Sequence, residues 1–315
     1  MHFKKPIGDT HLGRRFLTGV PMHRRGEREQ SMWTQFRNEM QPNGSNIVVQ
    51  MGDIFDKAIV PFDVIDSCAQ IIEDTAKDHP NVIFVVLAGN HDLSKDTSKV
   101  SAFLILKKML RHLPNVEIVS EAICIDSLGF IPYWPFGSAQ EVLDMNHLPH
   151  KMEAVFGHWD TSNFGGDNTI PLSALARYTN QVYTGHIHLP GIVVDSPDMK
   201  LVKTGSMQPY AHGEEAVQDL YLTMTLTEFE CHNPDIFVNK CLRLILKKGE
   251  EIPNVECLQL TIKKIDEEGE EVDIDVDFEN FDTIRIFNEA MNDFEVSLKT
   301  VGLIREQFDK LRGNV

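Results

Sequence analysis

The chain has no run of about 18 apolar residues, the length that spans a bilayer as a helix, although 42 % of its 315 residues are hydrophobic. Its start, MHFKKPIGDTHLG, lacks the continuous apolar stretch of a secretory signal. A cytoplasmic protein with no membrane partner is expected. Cysteine is scarce and unpatterned. Cys68, Cys124, Cys231, Cys241 and Cys257 are odd in number, widely spaced and form no CxxC pair, which indicates neither a disulfide framework nor a zinc knuckle. Internal repeats and low-complexity linkers are also missing. Positive charge is short, but unevenly so. The net charge is −17. Residues 1–212 hold 19 Lys and Arg against 23 Asp and Glu, net −4, and residues 213–315 hold 11 against 24, net −13. An acidic balance argues against a large phosphate-binding surface. The first forty residues nevertheless carry eight basic side chains against four acidic ones, so this end can still meet an anion.

What the chain does have is an alternation of short apolar runs and helical stretches over its first two thirds. NIVVQM (46–51), NVIFVVLAG (81–89) and EAVF (153–156) are β-branched or aromatic runs of the length of buried strands. Between the first two, Val64, Ile65, Cys68, Ile71, Ile72 and Ala76 recur at helical spacing, with Pro80 as a stop. This strand, helix, strand order implies a layered α/β sheet. After about residue 215 the pattern changes. VECLQLTIKKI and EVDIDVDF alternate apolar with polar residues around DEEGEE, as a small β-containing module would. From Phe281 onwards the spacing is helical: Phe287, Met291, Phe294, Leu298, Val301, Ile304, Phe308 and Leu311 step by three or four. That stripe either closes the core of its own module or binds a partner helix in a groove.

The polar clusters that follow the strands carry the chemistry. In order they read GDTH (Asp9, His11), GDIFD (Asp53, Asp56), GNHD (Asn90, His91, Asp92), GHWD (His158) and TGHIH (His186, His188). In an α/β sheet, ligands bind beyond the carboxyl ends of the strands, so five such clusters converge on one crevice. Asp9, His11, Asp53, Asn90, His158, His186 and His188 offer carboxylate, amide and imidazole donors, a mixture suited to Mn²⁺, Fe²⁺ or Zn²⁺ rather than Ca²⁺. Seven donors are too many for one ion with an open position. They are about right for two ions sharing a carboxylate, the clamp that stabilises the attacking and leaving oxygens of phosphoryl transfer.

This ordered series resembles the calcineurin-like metallophosphoesterase superfamily, whose pattern runs DxH, GDxxD, GNHD/E, GH and GHxH; all five motifs occur in order across residues 9–188. DTHLGRRF with the Arg-rich segment after it, and KTGSMQPYAHGEE (203–215), look like the corresponding parts of SbcD-type DNA nucleases. Those nucleases are partners of an SbcC-type coiled-coil ATPase, and the short chain looks most like a phage version. The resemblance is good over residues 1 to about 215 and only architectural beyond.

The resemblance implies an α/β fold, a metallophosphoesterase β-sandwich flanked by helices. It divides the chain into a nuclease domain (1–215), a small α+β capping domain (216–280) and C-terminal helices (281–315) that bind the ATPase. It implies two Mn²⁺ ions, with Mg²⁺, Fe²⁺ or Zn²⁺ as the other candidates. One ion falls to Asp9, His11, Asp53 and His188, the other to Asp53, Asn90, His158 and His186, with Asp53 bridging. His91 protonates the leaving 3′ oxygen or steadies the transition-state charge, and the Asp56 carboxylate orients and charges His91. Arg14, Arg15, Arg24 and Arg25 meet DNA, unless this cluster is only a solvated loop. The implied activity is 3′ to 5′ exonuclease cleavage from duplex ends, with endonuclease cleavage left open. The implied assembly is a homodimer within a heterotetramer, in the cytoplasm or, for a phage protein, the host cytoplasm. The alternative keeps the metals and changes the substrate, giving a phosphatase or small-molecule phosphodiesterase of the same superfamily. A metallophosphoesterase fold retained only as an assembly scaffold is disfavoured, because a scaffold need not keep seven donors and His91. One departure stands out. The first strand of the family is an apolar run, whereas HFKKPI has two lysines and Pro6, so a short or irregular strand is expected there.

Overall fold

A computed structural model describes residues 3, 5–96, 99–145, 148–149, 151–161 and 169–265 of the chain. Residues 1–263 form one compact unit. In chain order its elements are α1 (Glu27–Glu39), β1 (Ile47–Gln50), α2 (Phe62–Asp78), β2 (Ile83–Leu87), α3 (Ala102–Leu110) and β3 (Val116–Val119). There follow β4 (Ile123–Ile125), β5 (Leu128–Ile131), α4 (Ala139–Met145), β6 (Ala154–Gly157), α5 (Leu172–Leu175), β7 (Gln181–Thr184), β8 (Gly191–Asp195) and β9 (Lys200–Lys203). The last are β10 (Tyr221–Thr225), α6 (Leu226–Glu230), β11 (Cys241–Lys247) and β12 (Gln259–Ile265). The stripe from Phe287 to Leu311 and the EVDIDVDF run lie outside the described residues. Among the described residues no helix is long and apolar enough to cross a membrane.

Two sheets stack to make the sandwich, β1-β2-β3 against β4-β5-β6-β7-β9-β8. Alternation along β1 and β2 sorts their side chains between two cores. Ile47, Val49, Val85 and Leu87 face inward onto Leu128, Phe130, Ala154 and Phe156 of the larger sheet. Val48, Phe84 and Val86 point the other way, into a core shared with α1, α2 and α3. On the far side of the larger sheet, Ile131, Val155, Val182 and Leu201 pack under α4 and α5. The result is helix, sheet, sheet, helix. Burying both faces of each sheet is what lets parallel strands read as continuous apolar runs.

The helices begin and end on local signals. Pro61 precedes α2, whose fixed φ suits a helix start, and Val64, Ile65, Cys68, Ile72 and Ala76 line its buried face. The Ser101 side chain accepts the Leu104 N–H and caps α3. The first strand is irregular, as Pro6 requires. Among the described residues its pairing with β1 consists of the Phe3–Ile47 and Ile7–Gln50 bridges, with Ile7 N–H donating to Val49 O and Met51 N–H to Ile7 O.

The third sheet, β10-β11-β12, has its own core of Phe229, Phe237, Leu242, Leu244 and Leu246. It is seamed to the sandwich by the Arg-rich segment. Arg28 is buried; it donates to Tyr221 Oη, Cys241 Sγ and Pro209 O and lies 3.9 Å from the Phe16 ring centroid. Arg24, also buried, binds Glu27 at 2.7 Å and donates to Val238 O and Asn239 Oδ1.

Candidate metal centre

The loops that carry the five polar clusters all leave the sandwich at one edge. β1 and β2 are parallel, as are β5, β6 and β7, so Asp53, Asn90, His158 and His186 follow the carboxyl ends of β1, β2, β6 and β7. Asp9 follows the irregular first strand, where Ser206 bridges it and Met207 N–H donates to its carbonyl. Backbone strain marks the same loops. His11, Asp53 and His186 adopt φ of 45°, 50° and 73°, a left-handed conformation that costs about 1–3 kcal/mol per residue and persists where the surroundings enforce it.

Seven donors meet here. His11 Nε2 and His188 Nε2 are 3.1 Å apart, and His188 Nε2 is 3.5 Å from Asp9 Oδ2. Asp9, His11 and His188 each bring a ligand atom within 4.8 Å of the others, as do Asp9, Asp53 and His158. Asn90 Oδ1 is 3.0 Å from both His158 Nε2 and His186 Nδ1, and His158 Nε2 is 3.4 Å from Asp53 Oδ2. Convergence of this many carboxylate, amide and imidazole donors fits a shared cation. The orphan atoms agree. Asp9 Oδ2 and His11 Nδ1 are buried and have no hydrogen-bond partner among the described residues, a situation buried polar groups avoid unless an ion or water completes them.

Electrostatics gives the same fit. Burial drives Asp9 up to about 6 and His11 down to about 3. Burial also pushes against charge on Asp53 and His158, but each overrides it for the other: Asp53 ends below the usual carboxylate range, and His158, beside Asp53 and Asp9, rises to about 10. His186, buried next to His158, falls to about 4. Without an ion, then, protons on imidazole supply the positive charge that the carboxylates demand.

A second ring of contacts aims the donors. His158 Nδ1–H donates to Met51 O at 2.9 Å, and His188 Nδ1–H to Glu214 Oε1 at 2.9 Å. Both leave Nε2 toward the cluster, as ligating histidines do. Glu214 Oε2 accepts the Tyr210 N–H, while Tyr210 Oη donates to Thr10 O at 2.6 Å. Asp92, left without a role by the sequence, accepts the N–H groups of Ile54, Phe55 and Gly89 and so ties the loops after β1 and β2 together. Glu214 and Tyr210 sit inside the quoted KTGSMQPYAHGEE stretch. Nothing in their spacing distinguishes them from His212, which instead bonds Thr223 and Thr261 in the third sheet.

His91 belongs to the centre by its backbone, which donates to Asp53 Oδ1 at 2.8 Å. Its ring Nδ1–H is held by the carbonyl of Asp56 at 2.6 Å. The Asp56 carboxylate lies elsewhere, 3.5 Å from Arg14 and 4.0 Å from His11 Nδ1, so Asp56 orients His91 through its main chain. The arginines separate into two pairs. Arg14 and the exposed Arg15 border the centre, whereas Arg24 is turned into the seam and Arg25 is exposed.

An α/β sandwich with aspartates, histidines and an asparagine gathered beyond its strand ends defines a divalent-metal centre. The sequence profile of calcineurin-like phosphoesterases matches residues 7–190, from the first strand to past the final histidine, and the chain belongs to that family. It is a metal-dependent phosphoesterase. A comparison with curated proteins finds no match.

Proposed function

We propose that the chain is the nuclease subunit of a DNA-processing complex, cutting phosphodiester bonds with Mn²⁺. The observation that carries this reading is the packing of residues 203–215, one of the two stretches that look like SbcD-type nucleases, against the donor loops: Glu214 on the His188 ring and Tyr210 on the carbonyls of Asp9 and Thr10. When bound, two divalent ions supply Lewis acidity and lower the pKa of water toward neutrality. Asp9, His11, Asp53 and His188 would hold one, and Asp53, Asn90, His158 and His186 the other.

The chain's own residues then do the following. Asp53 is kept ionised beside His158, so it can serve both ions. His91, with Nδ1–H committed to Asp56 O, acts as the imidazolium: its Nε2–H passes to the leaving 3′ oxygen and leaves the neutral ring, the general-acid half of the step. Arg14 and Arg15 meet DNA phosphate. The ATPase, held by residues 281–315 of a homodimer, supplies the larger cationic surface that this acidic chain lacks, in DNA repair or recombination, as in a phage exonuclease.

The test is hydrolysis of end-labelled duplex DNA with Mn²⁺, Mg²⁺ or EDTA, with and without a coiled-coil ATPase and ATP. We expect stepwise nucleotide loss that needs Mn²⁺, and a His91→Ala variant that still binds metal but falls by about 10²–10⁴-fold in rate, the usual contribution of a positioned acid. DNA left intact while a small phosphodiester or phosphomonoester is hydrolysed moves the chain to the small-molecule reading. The inward turn of Arg24 and Arg28, which leaves fewer cations at the surface, favours that alternative.

A further inference from the structure

A cavity of about 630 Å³ opens beside the metal centre, with His91 in its wall. It is much larger than one phosphate needs and lies within the range of about 300–1,000 Å³ typical of organic-ligand sites. Its lining comes from three loops, those after the first strand and after β1, with His91 from the loop after β2. Arg14, Arg15 and Lys57 supply three cations against a single carboxylate, Asp56. That carboxylate already sits 3.5 Å from Arg14. Arg15 and Lys57 are exposed and have no ion-pair partner among the described residues.

One of these cations is held in place. The Arg14 guanidinium lies 5.4 Å from the Tyr210 ring centroid and 5.8 Å from that of Phe16, which fixes it next to the donors. Lys57 directly follows Asp56, whose carbonyl holds the His91 ring. The remaining wall is apolar: Ile59, 62 % exposed, with Val60 and Pro61. In a chain of net charge −17, unpaired cations facing an apolar wall next to a catalytic group call for an anion with a flat organic part attached.

We propose that this cavity is a subsite for the nucleotide unit beyond the scissile bond, with Lys57 and Arg15 reading that unit's own second phosphate and Ile59 and Pro61 packing its sugar and base. The inference rests on the phosphodiesterase reading and adds to it. A diester with one phosphate fills only the metal centre, whereas a chain with two fills both. The subsite therefore selects polynucleotide over isolated diester by binding and not by chemistry. Arg14, shared between Asp56 and the cavity, is the hinge between the two.

The experiment compares the dinucleoside monophosphate d(TpT) with the trinucleoside diphosphate d(TpTpT) as Mn²⁺-loaded substrates of the wild-type chain, Lys57→Gln and Lys57→Arg. Wild type should favour the trimer by about tenfold in kcat/KM, the scale of one charged hydrogen bond, through a lower KM at equal kcat. Lys57→Gln should bring the trimer down to the dimer's value, and Lys57→Arg should restore the preference. A trimer preference kept by Lys57→Gln, or an equal loss on both substrates, overturns the proposal. If the wild type hydrolyses no diester, the nuclease reading fails separately. Equilibrium binding of d(TpTpT) then decides the subsite: its logarithmic salt slope should fall by about 0.7 on loss of Lys57, as expected for one single-strand phosphate contact, and an unchanged slope, or no binding at all, overturns it.

Discussion

His188 shows how one hydrogen bond at the edge of the centre decides what the imidazole offers inside it. Glu214 Oε1 takes Nδ1–H at 2.9 Å, and Nε2 is left facing Asp9 and His11. Burial opposes a charge on His188, but Glu214 and Asp9 together hold it above the ordinary histidine value. Glu214→Gln keeps the shape and removes the charge, so Mn²⁺ affinity should fall by about 10–100-fold, the usual loss for a partner of a ligating histidine, as titration calorimetry would measure. The same protons give a pH prediction. His158 rises to about 10, so it is protonated at pH 7 in the ion-free chain, while His186, near 4, is not. A ligand nitrogen must be deprotonated to bind metal. Affinity should therefore climb as pH rises toward about 10, and binding at pH 7 should release protons. Calorimetry in buffers of different ionisation enthalpy would detect this; heats independent of buffer would place the proton elsewhere. In the ion-free chain the raised value also stabilises the fold below the unfolded-state pKa of about 6.5, and that contribution is lost as pH rises through about 10.

The loops after β1 and β2 behave as one part because Asp92 accepts three of their N–H groups. Asp92→Ala would strand those buried donors at about 1–3 kcal/mol each. We expect a clear drop in Tm together with a smaller Tm rise on adding Mn²⁺, since the variant spoils the loops that hold Asp53 and Asn90. A lowered Tm with the full Mn²⁺ response would separate stability from metal holding. Much of this layer was legible in the sequence. The strands at 46–51, 81–89 and 153–156 and the helix before Pro80 announced themselves, because elements buried on a full face must be apolar there and need a breaker at the end. The first strand was legible as an irregular one, since Pro6 interrupts it, and among the described residues its pairing with β1 is two isolated bridges. The four-residue strands β7 and β9 carry too few positions for a period to emerge. Gly89 belongs to the legible part with hindsight: a Cβ there would overlap the Asp53 carboxylate, so the glycine of the GNHD cluster is a space requirement.

At the scale of the whole molecule, the charge counts misled in a specific way. Eight basic residues in the first forty suggested an anion-binding end, yet Arg24 and Arg28 are buried in the seam to the third sheet. Composition cannot say which arginine turns inward; only the partners Glu27, Tyr221 and Pro209, the last two far away in sequence, decide it. The five polar clusters were legible for the opposite reason. Each sits at a strand end, and strand ends are visible one at a time. Their convergence has a consequence for biosynthesis. His11 and His188, 3.1 Å apart in the folded chain, are separated by 177 residues. At about 5–20 residues per second of translation, the aspartates of the nascent chain wait on the order of 10–35 s for the last histidine to be made. Until then the ribosome carries an incomplete chelator, and the enzyme cannot acquire its full set of metal ligands before most of it has been synthesised.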